Sequence, residues 1–77
     1  MTTSSPVFYD RATDTMYVTF REGYVAHTVA HDEREFAIDM GADGEPMGYE
    51  IQSASKHPDV IAEALQVLQR VSRIAAE

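Results

Sequence analysis

The sequence has no cysteine. That excludes disulfides and thiolate metal sites. It has no run approaching the roughly 18 apolar residues of a membrane span. Its first residues, Met1-Thr2-Thr3-Ser4-Ser5-Pro6, carry neither the basic nor the apolar segment of a secretory signal. A soluble cytoplasmic protein with Met1–Pro6 (1–6) as a disordered leader is the resulting expectation. Basic residues are scarce as well, 6 against 13 acidic ones, for a net charge of −7. The imbalance is concentrated between His31 and Glu50, where Arg34 alone opposes Asp32, Glu33, Glu35, Asp39, Asp43, Glu45 and Glu50. Such a field disfavours direct nucleic-acid binding and anionic membranes, and favours a basic protein partner. Internal repeats and low-complexity tracts are also missing.

What remains fits one domain over 7–77. A chain of 77 residues buries only about 60% of its unfolded surface. Without disulfides or a metal, a fold this small gains most from a partner chain. Homo-oligomerisation is therefore expected.

The polar–apolar alternation predicts four to five antiparallel strands over about 7–52. Val7-Phe8-Tyr9 forms a first strand, and Asp10–Asp14 a turn. Thr15 to Phe20 sets Met16, Val18 and Phe20 on one face, with Tyr17 and Thr19 on the other. Tyr24 to Ala30 reads as a third strand, followed by a charged turn at Asp32-Glu33-Arg34. The last two strands can be registered on a two-residue type I′ turn at Asp43-Gly44. Met40 then faces Met47, Ile38 faces Tyr49, and Phe36 faces Ile51. A slip of one residue would mix these apolar side chains with Asp39 and Glu50.

Pro58 suits the first position of a helix over about 58–76, with Asp59 in its first turn and Arg70 and Arg73 near its end. Its apolar residues fill an arc of roughly 180°, wider than one sheet requires. Ile61, Leu65 and Leu68 lie on that arc and form the candidate oligomer interface. The fold class is α+β, an antiparallel β-meander with one C-terminal amphipathic helix packed on one face.

Chemistry-bearing constellations are few. Asp39 and Glu50 come out as diagonal neighbours, about 7–8 Å apart, on the sheet face away from the helix. Tyr17 shares that face, and Gly48 leaves space beside Asp39. Two carboxylates and a phenol could bind a cation or a small ligand, or do acid–base work. A solvated polar face has the same composition. His27 and His31 stand roughly 13 Å apart along a strand, too far to share a metal. No Ser-His-Asp arrangement, calcium loop or phosphate-cradling glycine loop is present. No catalytic residue, cofactor or metal ligand is assigned.

Three pieces of the chain match a known pattern: Tyr9-Asp10…Asp14-Thr15-Met16-Tyr17-Val18, the turn Asp39…Asp43-Gly44, and Gly48-Tyr49-Glu50-Ile51 followed by Ala54-Ser55-Lys56-His57. Over most of Phe8–Ile51 the chain resembles the small bacterial domain-of-unknown-function family numbered 2283. Met16 stands where that family usually has Leu, and Tyr49 where it has Ile. The resemblance implies a short antiparallel meander with a C-terminal helix. It implies no assigned activity and carries over no catalytic residue. Some relatives lie near toxin-like genes. The functional expectation is a non-catalytic interaction module, antitoxin-like or inhibitory towards a basic partner. One variant of it is mimicry of nucleic acid by the acidic stretch. The alternative is a small-ligand or cation-binding domain, or a minor enzyme, using Asp39, Glu50 and Tyr17.

Overall fold

The computed structural model describes residues 6–76, with side chains described to residue 71. Of the leader expected at 1–6, residues 1–5 lie outside the described part. Pro6 lies within it, and its carbonyl accepts the Thr19 N–H at 2.7 Å. Five strands form in the order β1 (Val7–Asp10), β2 (Thr15–Thr19), β3 (His27–His31), β4 (Phe36–Met40) and β5 (Pro46–Ile51). Short 3-10 turns at Asp32–Arg34 and Ala54–Lys56 precede β4 and the helix α1 (Pro58–Ala76). The expected α+β class holds, with α1 running from Pro58 to Ala76.

The sheet is antiparallel throughout, in the order β1-β2-β5-β4-β3. It is therefore not a single meander. A β1–β2 hairpin and a β3–β4–β5 unit are joined edge to edge by β2 against β5. The reason is burial. β5 carries Met47, Tyr49 and Ile51, all buried, so it takes the centre of the sheet. The third strand also starts later than expected, at His27 rather than Tyr24.

The hairpin of β4 and β5 keeps the expected pairs Phe36–Ile51, Ile38–Tyr49, Ala37–Glu50 and Asp39–Gly48. It departs at the tip. Met40 pairs with Pro46, after a register shift between Asp39 and Met40, and not with Met47. The turn is not type I′, because Gly44 has a positive φ of 81° and Asp43 does not. The Gly44 N–H donates to the Gly41 carbonyl at 3.0 Å, and the Gly41 N–H to Glu45 at 2.9 Å. This three-residue loop with glycine in the left-handed position is the next commonest hairpin solution. Asp43 holds it, accepting the Glu45 N–H at 3.1 Å and two guanidinium bonds from Arg21 at 3.0 and 2.7 Å. Met47 is left bulged, and its carbonyl accepts both the Phe20 and Arg21 N–H groups.

The core lies between sheet and helix. Val18, Phe20, Phe36, Tyr49, Ile51, Ala54, Val60 and Ala64 form one buried cluster. The Phe36 ring stacks on Tyr49 at 5.4 Å, and Phe20 meets Tyr49 edge-on at 5.6 Å. Fully burying a side chain such as Ile51 or Val60 contributes about 1.5–3 kcal/mol. The packing of α1 is concentrated on β2, β5 and the Ala54–Lys56 turn. Ile61, Val67, Leu68 and Val71 pack against the cluster from the helix side. Of the three residues expected at an oligomer interface, Ile61 and Leu68 thus serve the protein's own core, while Leu65 is 36% exposed.

Candidate interaction face

Strand alternation sends one set of side chains towards α1 and the other to the opposite face. The register aligns Phe8, Tyr17, Glu50, Ala37 and Ala30 in one row across all five strands of that open face. Beside it runs a second row, Thr19, Gly48, Asp39 and Thr28. Neither row contains a lysine or arginine. Phe8 is 60% exposed and stacks on Tyr17 with ring centres 6.1 Å apart. Tyr17 stands directly opposite Glu50. Asp39 accepts a 2.9 Å hydrogen bond from the Thr28 hydroxyl.

Gly48 keeps the face close-set at its centre. A Cβ there would meet the Val18 carbonyl oxygen at 2.7 Å, so β2 and β5 approach as only glycine allows. The space expected beside Asp39 is present, in a shallow recess shared with Tyr17, Thr19 and Gly48. Glu50 lines a different recess, of about 370 Å³, with Glu35, Gln52 and Ala37. The two acids are diagonal as the register requires, yet they open into separate hollows; Tyr17 pairs across from Glu50 but lines the hollow of Asp39. Among the described residues no group of three or more histidine or carboxylate side chains could hold a metal ion.

A second polar assembly was not foreseen from the sequence. Asp14, Glu35 and Ser53 all adopt left-handed backbone conformations, with φ of 53°, 57° and 50°. They converge on the segment that carries the chain from β5 into α1. The Asp14 carboxylate accepts the Tyr9 hydroxyl at 2.6 Å, the Ser55 hydroxyl at 2.7 Å and the Ser55 N–H at 3.2 Å. These bonds, first the Tyr9 one and then the Ser55 ones, hold its carboxyl below the ordinary aspartate range. Glu35 meets His57 Nε2 at 3.0 Å and accepts the Ser53 hydroxyl at 3.2 Å. The His57 contact, followed by the Ser53 bond, likewise lowers the Glu35 carboxyl. Glu35 thus bridges Ser53 and His57. The Ser53 hydroxyl is engaged by the acid rather than by the imidazole, which is not a nucleophile–base arrangement. Tyr9, Asp14 and Ser55 belong to the family pattern, but nothing in their spacing says that they meet. His27 pairs with Met40 at the sheet edge, and His31 stacks on Phe36 at 4.6 Å.

A five-stranded antiparallel sheet with one C-terminal helix on one face defines a small α+β domain. Residues 7–55 match the model of the DUF2283 family, described as a protein of unknown function. The chain belongs to that family. The matched stretch spans the whole sheet and reaches into the Asp14–Ser55 junction, ending before α1. No curated protein and no solved structure matches the chain. Among the described residues no helix is long and apolar enough to cross a membrane.

Proposed function

We propose that the protein is a non-catalytic, cytoplasmic protein–protein interaction module, homo-oligomeric, which presents an acidic sheet face to a basic partner. An antitoxin-like or inhibitory role is one form of this reading. The observation that carries it is the one-sided cover of the sheet. The helix takes one face, and the other offers the stacked pair Phe8–Tyr17 beside Glu50 and Asp39, with no cation in either row. An aromatic–acid surface suits lysine- and arginine-rich segments, through cation–π contacts and charge steering.

Titration of a Lys/Arg-rich peptide against wild type and an Asp39→Asn/Glu50→Gln double variant tests it. Binding that weakens as salt is raised, and that falls at least about tenfold in the double variant, is the expected result. Equal binding by both proteins, or binding indifferent to salt, overturns the charge-based reading.

A second reading, a small-ligand or cation site, draws on the placement of Tyr17 directly opposite Glu50. It requires a small cation or polar ligand to raise the melting temperature of wild type and not of Glu50→Gln.

A further inference from the structure

We propose that β3 is the seam between two copies of this chain, paired antiparallel about a two-fold axis at Val29. The proposal rests on the homo-oligomeric part of the reading above and gives it a place and a register.

Among the described residues β3 is an edge strand, bonded to β4 on one side only. All five of its residues are exposed. Edge strands of natural proteins are guarded by lysine, proline, inward charges or bulges, because their free N–H and C=O groups template further pairing. His27-Thr28-Val29-Ala30-His31 has none of the guarding residues, and its register with β4 runs unbroken from His27–Met40 to His31–Phe36. In a chain of net charge −7, it is also a strand without a carboxylate. A basic partner has no ionic reason to choose it, whereas a second acidic copy meets no carboxylate along it.

The strand complements itself. Full antiparallel overlap of five residues puts the middle one on the axis. Val29 then faces Val29 of the second copy, Thr28 faces Ala30, and His27 faces His31. The other edge does not have this property. Self-overlap of β1 would set Val7 against Asp10 of the second copy, an apolar side chain against a charge. Packing of α1 also favours β3. Because the helix concentrates on β2 and β5, Val29 remains 39% exposed on the helix side, with Tyr24 80% exposed just before the strand. Pairing at β3 buries Val29 and turns two five-stranded sheets into one continuous sheet.

A five-residue seam is small beside the roughly 1,000 Å² that a stable interface buries, so the dimer forms in a concentration-dependent way. Added salt screens the repulsion between two acidic chains and tightens it. Salt acts in the opposite sense on a basic partner, which separates the two kinds of association.

Sedimentation equilibrium of the full chain over a wide concentration range tests the seam. The expected result is a monomer–dimer equilibrium strengthened by salt and weakened at least about tenfold by Val29→Lys, which sets like charges face to face. Register is tested by cross-linking, which is clean because the chain has no cysteine. Val29→Cys should form a disulfide dimer with itself. Thr28→Cys and Ala30→Cys should cross-link when mixed, faster than either does alone. A strict monomer at every concentration overturns both the seam and the homo-oligomeric reading. A dimer dissolved by Leu65→Asp but indifferent to Val29→Lys, or one whose cysteine variants do not cross-link in this pattern, overturns the seam alone. If Val29→Lys unfolds by circular dichroism, the cysteine pairs decide.

Discussion

The Tyr49 hydroxyl donates a 2.6 Å hydrogen bond to Glu63 and so ties the central strand to the helix. Burial, and then this bond to a carboxylate, push the Tyr49 phenol well above its ordinary range. It therefore stays protonated and keeps donating. Arg34 completes the joint, reaching Asp59 at 3.2 Å and Glu63 at 3.6 Å while its guanidinium lies 5.3 Å over the Phe36 ring. Tyr49→Phe should lower stability by about 1 kcal/mol, since the partly exposed Glu63 can return to water. A lower urea midpoint with an unchanged slope is the expected signature.

Leu65 and Leu68 separate along the helix. Leu68 packs on the core cluster, and Leu65 is exposed. Leu68→Asp should destabilise by about 2 kcal/mol or more, because it brings a charge into apolar packing. Leu65→Asp should stay within about 0.5 kcal/mol. Thermal melts of the two variants at matched protein concentration check the difference.

Gly44 and Gly48 are glycines for different reasons. At Gly44 the backbone is left-handed, with φ of 81° and open space where a Cβ would go. Gly44→Ala should cost about 1 kcal/mol, and Gly44→Asn less, since asparagine tolerates that conformation. At Gly48 the obstacle is the Val18 carbonyl, 2.7 Å from a Cβ. Gly48→Ala should cost about 1–3 kcal/mol, and asparagine should not relieve it. Chemical denaturation of the four variants distinguishes strain from clash.

Acid should loosen the fold through its held carboxylates. Asp14 and Glu35 are lowered by the bonds described above, and Asp43 is lowered to about 2, first by its paired hydrogen bonds with Arg21. For a folded-state pKa below the unfolded one, stability is present above the unfolded value. It is lost as pH falls through the folded value. The urea midpoint should hold down to about pH 4, the ordinary carboxylate range, and then fall towards pH 2. Asp43→Asn should flatten the lowest part of that profile. A midpoint that is constant from pH 5 to 2 would refute it.

Much of the open face was legible from residue order. The Asp39–Gly48 and Ala37–Glu50 pairs, and the placement of both acids away from the helix, follow from alternation on either side of one turn. The turn itself is one residue longer than residue order implies. Asp43-Gly44 fits a two-residue loop locally, but Arg21, 22 residues earlier, grips Asp43 and the Glu45 and Pro46 carbonyls that follow the loop. The junction of Asp14, Glu35, Ser53, Ser55 and His57 was illegible for a similar reason. It joins positions about 20 and 40 apart in the chain, and its left-handed residues are not glycines.

By itself, then, the sequence determined the periodicities. These are strands whose faces alternate, a helix started by Pro58 and driven by a wide apolar arc, and a pairing in which a slip would bury Asp39 and Glu50. These are local constraints, set by spacing and by the cost of burying charge. Tertiary structure decided which strand lies beside which. It put β5 at the centre because that strand has the most to bury, drew Ile61 and Leu68 into the core, and left β3 as a bare edge. Those outcomes depend on how much apolar surface the helix and five strands can cover together, a quantity that no single segment contains.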